Sequence, residues 1–542
     1  MSIIKKALPV VMSALMLFGC AGSDSSSSGA SRGGDSAAVT TDKNGSEEKK
    51  EKTQAELDSS MGKTLPVIDI QTKNTDKLDF VTKPVAEHVS KQQAMWTPNF
   101  KMPPAPYYED CTITVTGIDG AKQIDGAEAE VKVRGNWTTT YAKKSLRIKF
   151  AEKQSMLGLN EGQKYKNWVL LAGYKDGSLL RDKTALEMAR EILEPDGFYA
   201  SDSQLVEINI NGKYFGVYLL AELQQINNGR VSVTKAEKDY KGTDIGYLLE
   251  FDGYYYTEPD LQRFKCDYND NAPLTPYDGN GGGGKEITVL GDDKTDLGFT
   301  IKNDIYSQEQ RDFIAGFVNN VYKIMYEAAY NNKAYVFDSA FKSISETSDI
   351  TPREAVEKVV DTDSLADMFV ISELTCDADI YLTSFFMSAD FGEGGSKKLR
   401  FEAPWDFDSS MGNKDRCANG RGFYAGNTVP DVNGNQFYTV NPWLCVLMYQ
   451  SWYTDIIKEK WTKAYDAGVF TRAHDMILSD TETFSDAFVR NYNKWDNIRN
   501  NRDFAGELSF QAASCRTHEA AAGFLAEWLE SRVQFMNEHW HK

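Results

Sequence analysis

The sequence predicts an α+β protein, with a strand-rich N-terminal half followed by a largely helical C-terminal half. Two observations carry this. Short β-branched runs separated by turn signals crowd residues 65–150, and apolar residues at helical spacing dominate from residue 308 onward. Strands followed by helices, rather than strands alternating with helices, is the order of an α+β chain and not of a parallel sheet.

The elements follow in order. Val67-Ile68-Asp69-Ile70, Thr112-Ile113-Thr114-Val115 and Val131-Lys132-Val133 read as strands. Residues 145–150 alternate, so Leu146, Ile148 and Phe150 share one face while Arg147 and Lys149 share the other. Residues 168–172 form another apolar strand. Leu180, Thr184, Met188 and Ile192 are spaced for one face of a helix over 178–193. Residues 206–222 predict a hairpin turning on Asn211-Gly212, and 247–251 a further strand. Residues 254–302, rich in Gly, Asp and Tyr, read as a loop insertion. Residues 308–329 and 363–374 read as helices. A strand pair is expected at 380–390 and 399–405, joined by Gly392-Glu393-Gly394-Gly395. The rest is helical, with Trp443, Trp452, Trp461 and Trp528 as core anchors. The domain reading is a leader at 1–19, a spacer at 20–62, a strand-rich lobe at 63–250, an insertion at 251–305 and a helical lobe at 306–542.

The leader has a basic start, Lys5-Lys6, and an apolar run over 7–18. That run is signal-peptide length and falls short of the roughly 20 residues needed to span a bilayer. It ends Leu17-Phe18-Gly19-Cys20, which resembles a bacterial lipobox whose cysteine is acylated, although Phe18 is bulkier than the usual residue. Residues 21–61 hold almost no large apolar side chain and cannot offset their ordering entropy by burial, so they read as a tether. The expected location is the outer face of a bacterial cell membrane, held only through lipid on Cys20.

The net charge of −19 argues against a nucleic-acid partner and against docking on anionic lipid through the protein surface. Cys111, Cys266, Cys376, Cys417, Cys445 and Cys515 form no C-x-x-C pair, which argues against structural zinc. Export permits disulfides among them without indicating a pairing. The five histidines supply poorly either a Ser-His-Asp triad or a His-rich metal site. Residues 279–286 have P-loop spacing, but Glu286 stands where Ser or Thr would hold magnesium. Ile287-Thr288-Val289-Leu290 then reads as strand where a P-loop opens a helix, so the stretch is a loop.

The carboxylates after residue 376 are more informative. Asp377 and Asp379 precede one strand of the expected pair, and Asp406 and Asp408 follow the other. Carboxylates at the ends of paired strands either converge on a hard cation such as magnesium or cap turns.

Four blocks in order resemble the spore-coat-protein-H (CotH) kinase family. They are Val133-Arg134-Gly135-Asn136 with Lys143-Lys144-Ser145-Leu146-Arg147-Ile148-Lys149-Phe150; Asn167-Trp168-Val169-Leu170-Leu171-Ala172 with Ser178-Leu179-Leu180-Arg181-Asp182-Lys183; residues 211–220; and residues 379–408 with Gly412-Asn413. The resemblance implies an atypical protein-kinase-like fold and magnesium- or manganese-dependent transfer of phosphate from ATP to Ser or Thr of a surface or secreted protein. It implies Asp379 as the catalytic carboxylate, with Asp377 as the alternative. Asp406 would be the metal-binding residue of an Asp-Phe-Gly-like motif, with Asp408 in the Gly position. Ser384 stands where a kinase places a metal-binding Asn. Lys149 would grip the nucleotide phosphates with Glu187 as its partner, Lys144 being a competing choice beside Arg147. Arg134-Gly135-Asn136 would cover the phosphates. ATP is scarce outside the cytoplasm, so two non-enzymatic readings stand beside this one: a kinase-like surface module binding protein or polysaccharide, and a surface-assembly protein.

Overall fold

The computed structural model describes residues 52–74, 81, 108–135, 137–279, 285–290, 297–415, 418–428, 440–502 and 504–542. The leader, Cys20, most of the spacer, Asn136 and Cys417 lie outside these residues.

Seven strands build the N-terminal half: β1 (Val67–Thr72), β2 (Glu109–Thr116), β3 (Lys122–Val133), β4 (Leu146–Gln154), β5 (Tyr165–Leu171), β6 (Ser203–Ile210) and β7 (Lys213–Ala221). They close into a barrel in the order β1-β2-β3-β4-β5-β7-β6. Closure comes from the parallel pairing of β1 with β6, which sets Val67 beside Glu207 and Ile70 beside Ile210; the other pairs are antiparallel. A closed barrel leaves no sheet edge to aggregate. Alternation does the packing. Leu146, Ile148 and Phe150 point inward at no more than 1% exposure, meeting Ile68, Val131, Trp168 and Ile208. Burying each such side chain contributes about 1.5–3 kcal/mol. The β6–β7 hairpin turns on Asn211 and Gly212 at φ +51° and +70°, the left-handed pair that matches strand twist.

Helix α1 (Gln54–Ser59) lies against the barrel side of the molecule, where Arg490 reaches Leu57 O and the Glu207 carboxylate. Helix α2 (Arg181–Leu193) interrupts the barrel strands, and the four residues expected on one face, Leu180, Thr184, Met188 and Ile192, are all buried.

The C-terminal half is a second sheet wrapped by helices. Its strands run in the order β14-β13-β8-β10-β9, being β8 (Gly246–Asp252), β9 (Arg263–Lys265), β10 (Gly298–Ile301), β13 (Phe385–Asp390) and β14 (Leu399–Phe401). Between them lie the small hairpin β11 (Ala334–Phe337) and β12 (Ile344–Thr347) and the helices α3 (Gln308–Tyr330), α4 (Pro352–Val359) and α5 (Thr362–Thr375). The long helices that follow are α6 (Ser451–Asp466), α7 (Val469–Thr483), α8 (Ser485–Trp495) and α9 (His518–Trp540). Several boundaries differ from the sequence expectation, and the strand pair expected at 380–390 and 399–405 is shortened to Phe385–Asp390 and Leu399–Phe401. β8 belongs to this second sheet, pairing with β10 and β13, so the halves divide between β7 and β8. The stretch expected as a loop insertion supplies β9 and β10, because the buried run of β10 pairs with β8 and β9 adds to its other edge.

Helix α5 is buried on nearly every side, with only Asp363 exposed. Such a helix runs through the core rather than over it. Its end is sharp: Cys376 takes a left-handed φ of +47°, and the chain turns directly into Asp377 and Asp379.

Candidate active site

The barrel and the second sheet face each other across a cavity of about 690 Å³, within the range of small-molecule sites. Its lining is densely charged. The barrel side presents Lys132, Arg134 and Arg147, with Lys175 and Asp182 beside them; the C-terminal side presents Asp379, Asp406 and Asp408, with Lys302 and Lys414.

Strand register explains the cationic wall. On the outward face of β3 and β4, Glu130 stands opposite Lys149, and Lys132 opposite Arg147. The first pair neutralises itself: Lys149 Nζ lies 3.0 Å from Glu130 on the half-exposed barrel surface and does not line the cavity. The second pair sets like charges side by side, which is destabilising in itself. Burial, then Arg147 and Arg134, lower the Lys132 ammonium. Burial also lowers the Arg134 guanidinium, with Asp406 and Asp182 pulling it back up. Gly135 follows at φ +111°, where a β-carbon would sit 2.4 Å from Thr138 Oγ1, so only glycine brings this backbone to the cavity wall.

The acidic wall comes from two strained turns. Asp406 has φ +72° and Ser384 φ +62°; such conformations cost about 1–3 kcal/mol each in residues other than glycine and gather at functional sites. Ser384 Oγ donates to Asp406 Oδ2 at 3.3 Å. Burial, then Asp408 and Asp379, push the Asp406 carboxyl up to about 7 against the pull of Lys175 and Arg134. Lys175 Nζ lies 3.1 Å from Asp408 Oδ1. Burial alone would lower the Lys175 ammonium, but Asp408, Tyr141, Asp379 and Asp406 more than offset it and hold it well above the usual lysine range. Asp182 accepts from Phe407 N–H at 2.9 Å, and burial with Asp408 and Asp406 pushes its carboxyl well up. Lys414 Nζ approaches Asp379 to 3.7 Å. At the far end Lys302 pairs with Glu250 at 2.8 Å.

Of the residues expected from sequence, Arg134, Arg147, Asp379, Ser384, Asp406 and Asp408 line this cavity. Asp377 sits behind it, buried, and accepts the backbone N–H of Asp379 at 3.1 Å; burial and Asp379 push its carboxyl well up. Lys144 donates to Thr139 O and Tyr141 O at 2.8 and 2.6 Å, stapling the turn before β4. Glu187 stands on the solvent side of α2, 3.9 Å from Arg190. The expected Lys149–Glu187 pair is therefore not formed, because register gives Lys149 to Glu130. Lys132, Lys175, Asp182, Glu250, Lys302 and Lys414 were not singled out by sequence. Asp182 stood inside the second family block, and Lys132 between two strand valines, so both carried a signal.

The donor set suits a hard cation that brings ligands of its own. Among the described residues, no group of three or more Asp, Glu, His or Cys could cage a metal unaided. Magnesium is commonly held by one or two carboxylates with substrate phosphates and water completing the shell. Crowded carboxylates whose charge is poorly matched by donors meet that need.

Fold and cleft together define a two-part α+β protein with a densely charged site between the parts. The family model described as CotH kinase protein matches residues 131–536, well over half of the chain and every cleft residue named here. The chain belongs to the CotH kinase family. No curated protein matches it.

Proposed function

We propose that the cleft binds a magnesium or manganese complex of ATP and transfers the terminal phosphoryl group to a Ser or Thr hydroxyl of a surface or secreted protein, within an atypical kinase-like fold. One observation carries the reading: a single cavity is lined both by the basic barrel side chains Lys132, Arg134 and Arg147 and by the carboxylates Asp379, Asp406 and Asp408, with further ionic groups of both signs around them. A metal-bound triphosphate presents the complement, anionic oxygens to one wall and a cation to the other.

In this reading Lys132, Arg134 and Arg147 hold the phosphates that stay behind, and Asp406 with Ser384 Oγ holds the metal. A bound divalent cation would neutralise charge on the phosphate oxygens. Asp379 takes the proton of the acceptor hydroxyl as that oxygen bonds to the γ-phosphorus. The bond from phosphorus to the β–γ bridging oxygen breaks, and ADP departs. Asp377 is a positioning residue that fixes the backbone of Asp379. The lipid on Cys20 and the spacer would present this chemistry at the outer membrane face; Cys20→Ser should release the protein from the membrane fraction, and retention there contradicts the tether.

Incubation of the purified protein with labelled ATP, magnesium and acidic acceptor proteins tests the activity. Transfer is expected in wild type and lost in Asp406→Ala and Asp379→Ala. No transfer, or no difference between the three, removes the enzymatic reading.

A further inference from the structure

We propose that Lys175 stands in for a second metal ion in this cleft: its ammonium neutralises Asp408, and the site takes one divalent cation, at Asp406, rather than two. The inference rests on the metal–nucleotide reading above.

Lys175 comes from the turn between β5 and α2, far in sequence from the carboxylate it meets. Its side chain is 7% exposed, its Nζ lies 3.1 Å from Asp408 Oδ1, and it also donates to Ser409 Oγ. Its placement is enforced from both sides. Asn413 Nδ2 donates to Asp408 O at 2.7 Å and to Lys175 O at 3.3 Å, tying the two turns together. On the other flank Asp176 accepts from Ser178 N–H at 2.9 Å and Arg181 N–H at 3.0 Å, closing the turn that carries Lys175. A lysine held on both flanks and buried beside a carboxylate acts as a fixed charge rather than a mobile surface group.

Asp408 is thereby committed. A metal bound by both Asp406 and Asp408 would share the Asp408 carboxylate with the buried Lys175 ammonium and set two positive charges against each other at short range, which is costly. Ser384 offers a second metal only a neutral hydroxyl, and that hydroxyl already donates to Asp406. Charge that two metals supply in a two-metal phosphoryl-transfer site is here divided between one metal and one ammonium.

Counting bound Mn²⁺ tests this without any turnover. Free Mn²⁺ is followed by its electron paramagnetic resonance signal during titration of the full mature chain with a non-hydrolysable ATP analogue. Wild type should bind one Mn²⁺ per chain. Lys175→Gln frees Asp408 and should bind a second, or hold the first about tenfold more tightly, as removing a neighbouring positive charge requires. Lys175→Arg keeps the charge and should stay at one. Two Mn²⁺ in wild type, or a folded Lys175→Gln indistinguishable from wild type, overturns the inference and leaves the metal–nucleotide reading standing. No Mn²⁺ bound by wild type overturns both. Should Lys175→Gln fail to fold, the wild-type and Lys175→Arg counts still decide.

Discussion

Arg532 and Glu373 meet at 2.6 Å with both side chains fully buried, while Asp408, Asp379 and Asp406 crowd around Lys175 in the cleft. Both clusters bury charge, yet they are satisfied very differently. Glu373 also accepts from Tyr424 N–H at 2.9 Å and from Ala425 N–H, and Arg532 also donates to Gly420 O and Gly422 O at 2.9 and 2.8 Å. This network ties α5 to α9 and to the loop between them. Asp406 instead takes one long hydrogen bond from Ser384 and lies among other carboxylates. Burial of charge is thus not what marks a site in this molecule. A surplus of carboxylates over donors, held on strained backbone, is.

The contrast can be broken from either side. Arg532→Met should cost about 3–5 kcal/mol, because it strands Glu373 as a buried unpaired charge. The midpoint of urea unfolding reports it, and a loss below about 1 kcal/mol would show that the pair is not the fastener described. Asp406→Asn should do the reverse and leave the fold as stable or more so. Its sign follows from the raised carboxyl. The folded value of about 7 lies above the unfolded value of about 3.9, so ionising this group costs stability progressively as pH rises between them. The variant should therefore match wild type near pH 4 and exceed it above pH 7. Equal urea midpoints at pH 8 would show that Asp406 is not under repulsion.

The two lysines of the barrel face sharpen the comparison further. Under the proposed function Lys132→Gln should weaken nucleotide binding about tenfold, the loss expected for one charge-assisted phosphate contact. Lys149→Gln should change it by less than about twofold, as expected for an exposed pair. The opposite order in a nucleotide titration would return the phosphate-gripping role to Lys149. The smallest effect concerns His518, buried against Phe488, with Nε2 2.7 Å from Ser178 O. Burial lowers it to about 4, below its unfolded value of about 6.5, so its contribution is intact above that pH and lost as pH falls toward 4. His518→Gln should flatten the acid side of a melting-temperature profile and leave pH 7 to 8 unaltered.

How far this was legible in the sequence depends on distance along the chain. β4 and α2 were readable because Leu146, Ile148 and Phe150, and Leu180 through Ile192, reveal their buried faces by spacing alone. The barrel was not, because it closes through β1 against β6, about 140 residues apart, and no local pattern encodes a parallel pairing. The carboxylates of the acidic wall were legible because they flank a recognisable strand pair, Asp379 before β13 and Asp406 and Asp408 after β14. Lys132 was not chosen over Lys149 because the choice depends on cross-strand register, which sets Glu130 against Lys149. Lys175 escaped for a related reason: only tertiary folding carries its turn to Asp408.

The central claim is that the acidic cluster of the cleft is a metal–nucleotide site rather than a second structural fastener. Calorimetric titration of magnesium–ATP into wild type and Asp406→Ala tests it most directly. Micromolar binding in wild type, absent in a folded Asp406→Ala, is the predicted result. No heat of binding in wild type, or the same affinity in both, would contradict it.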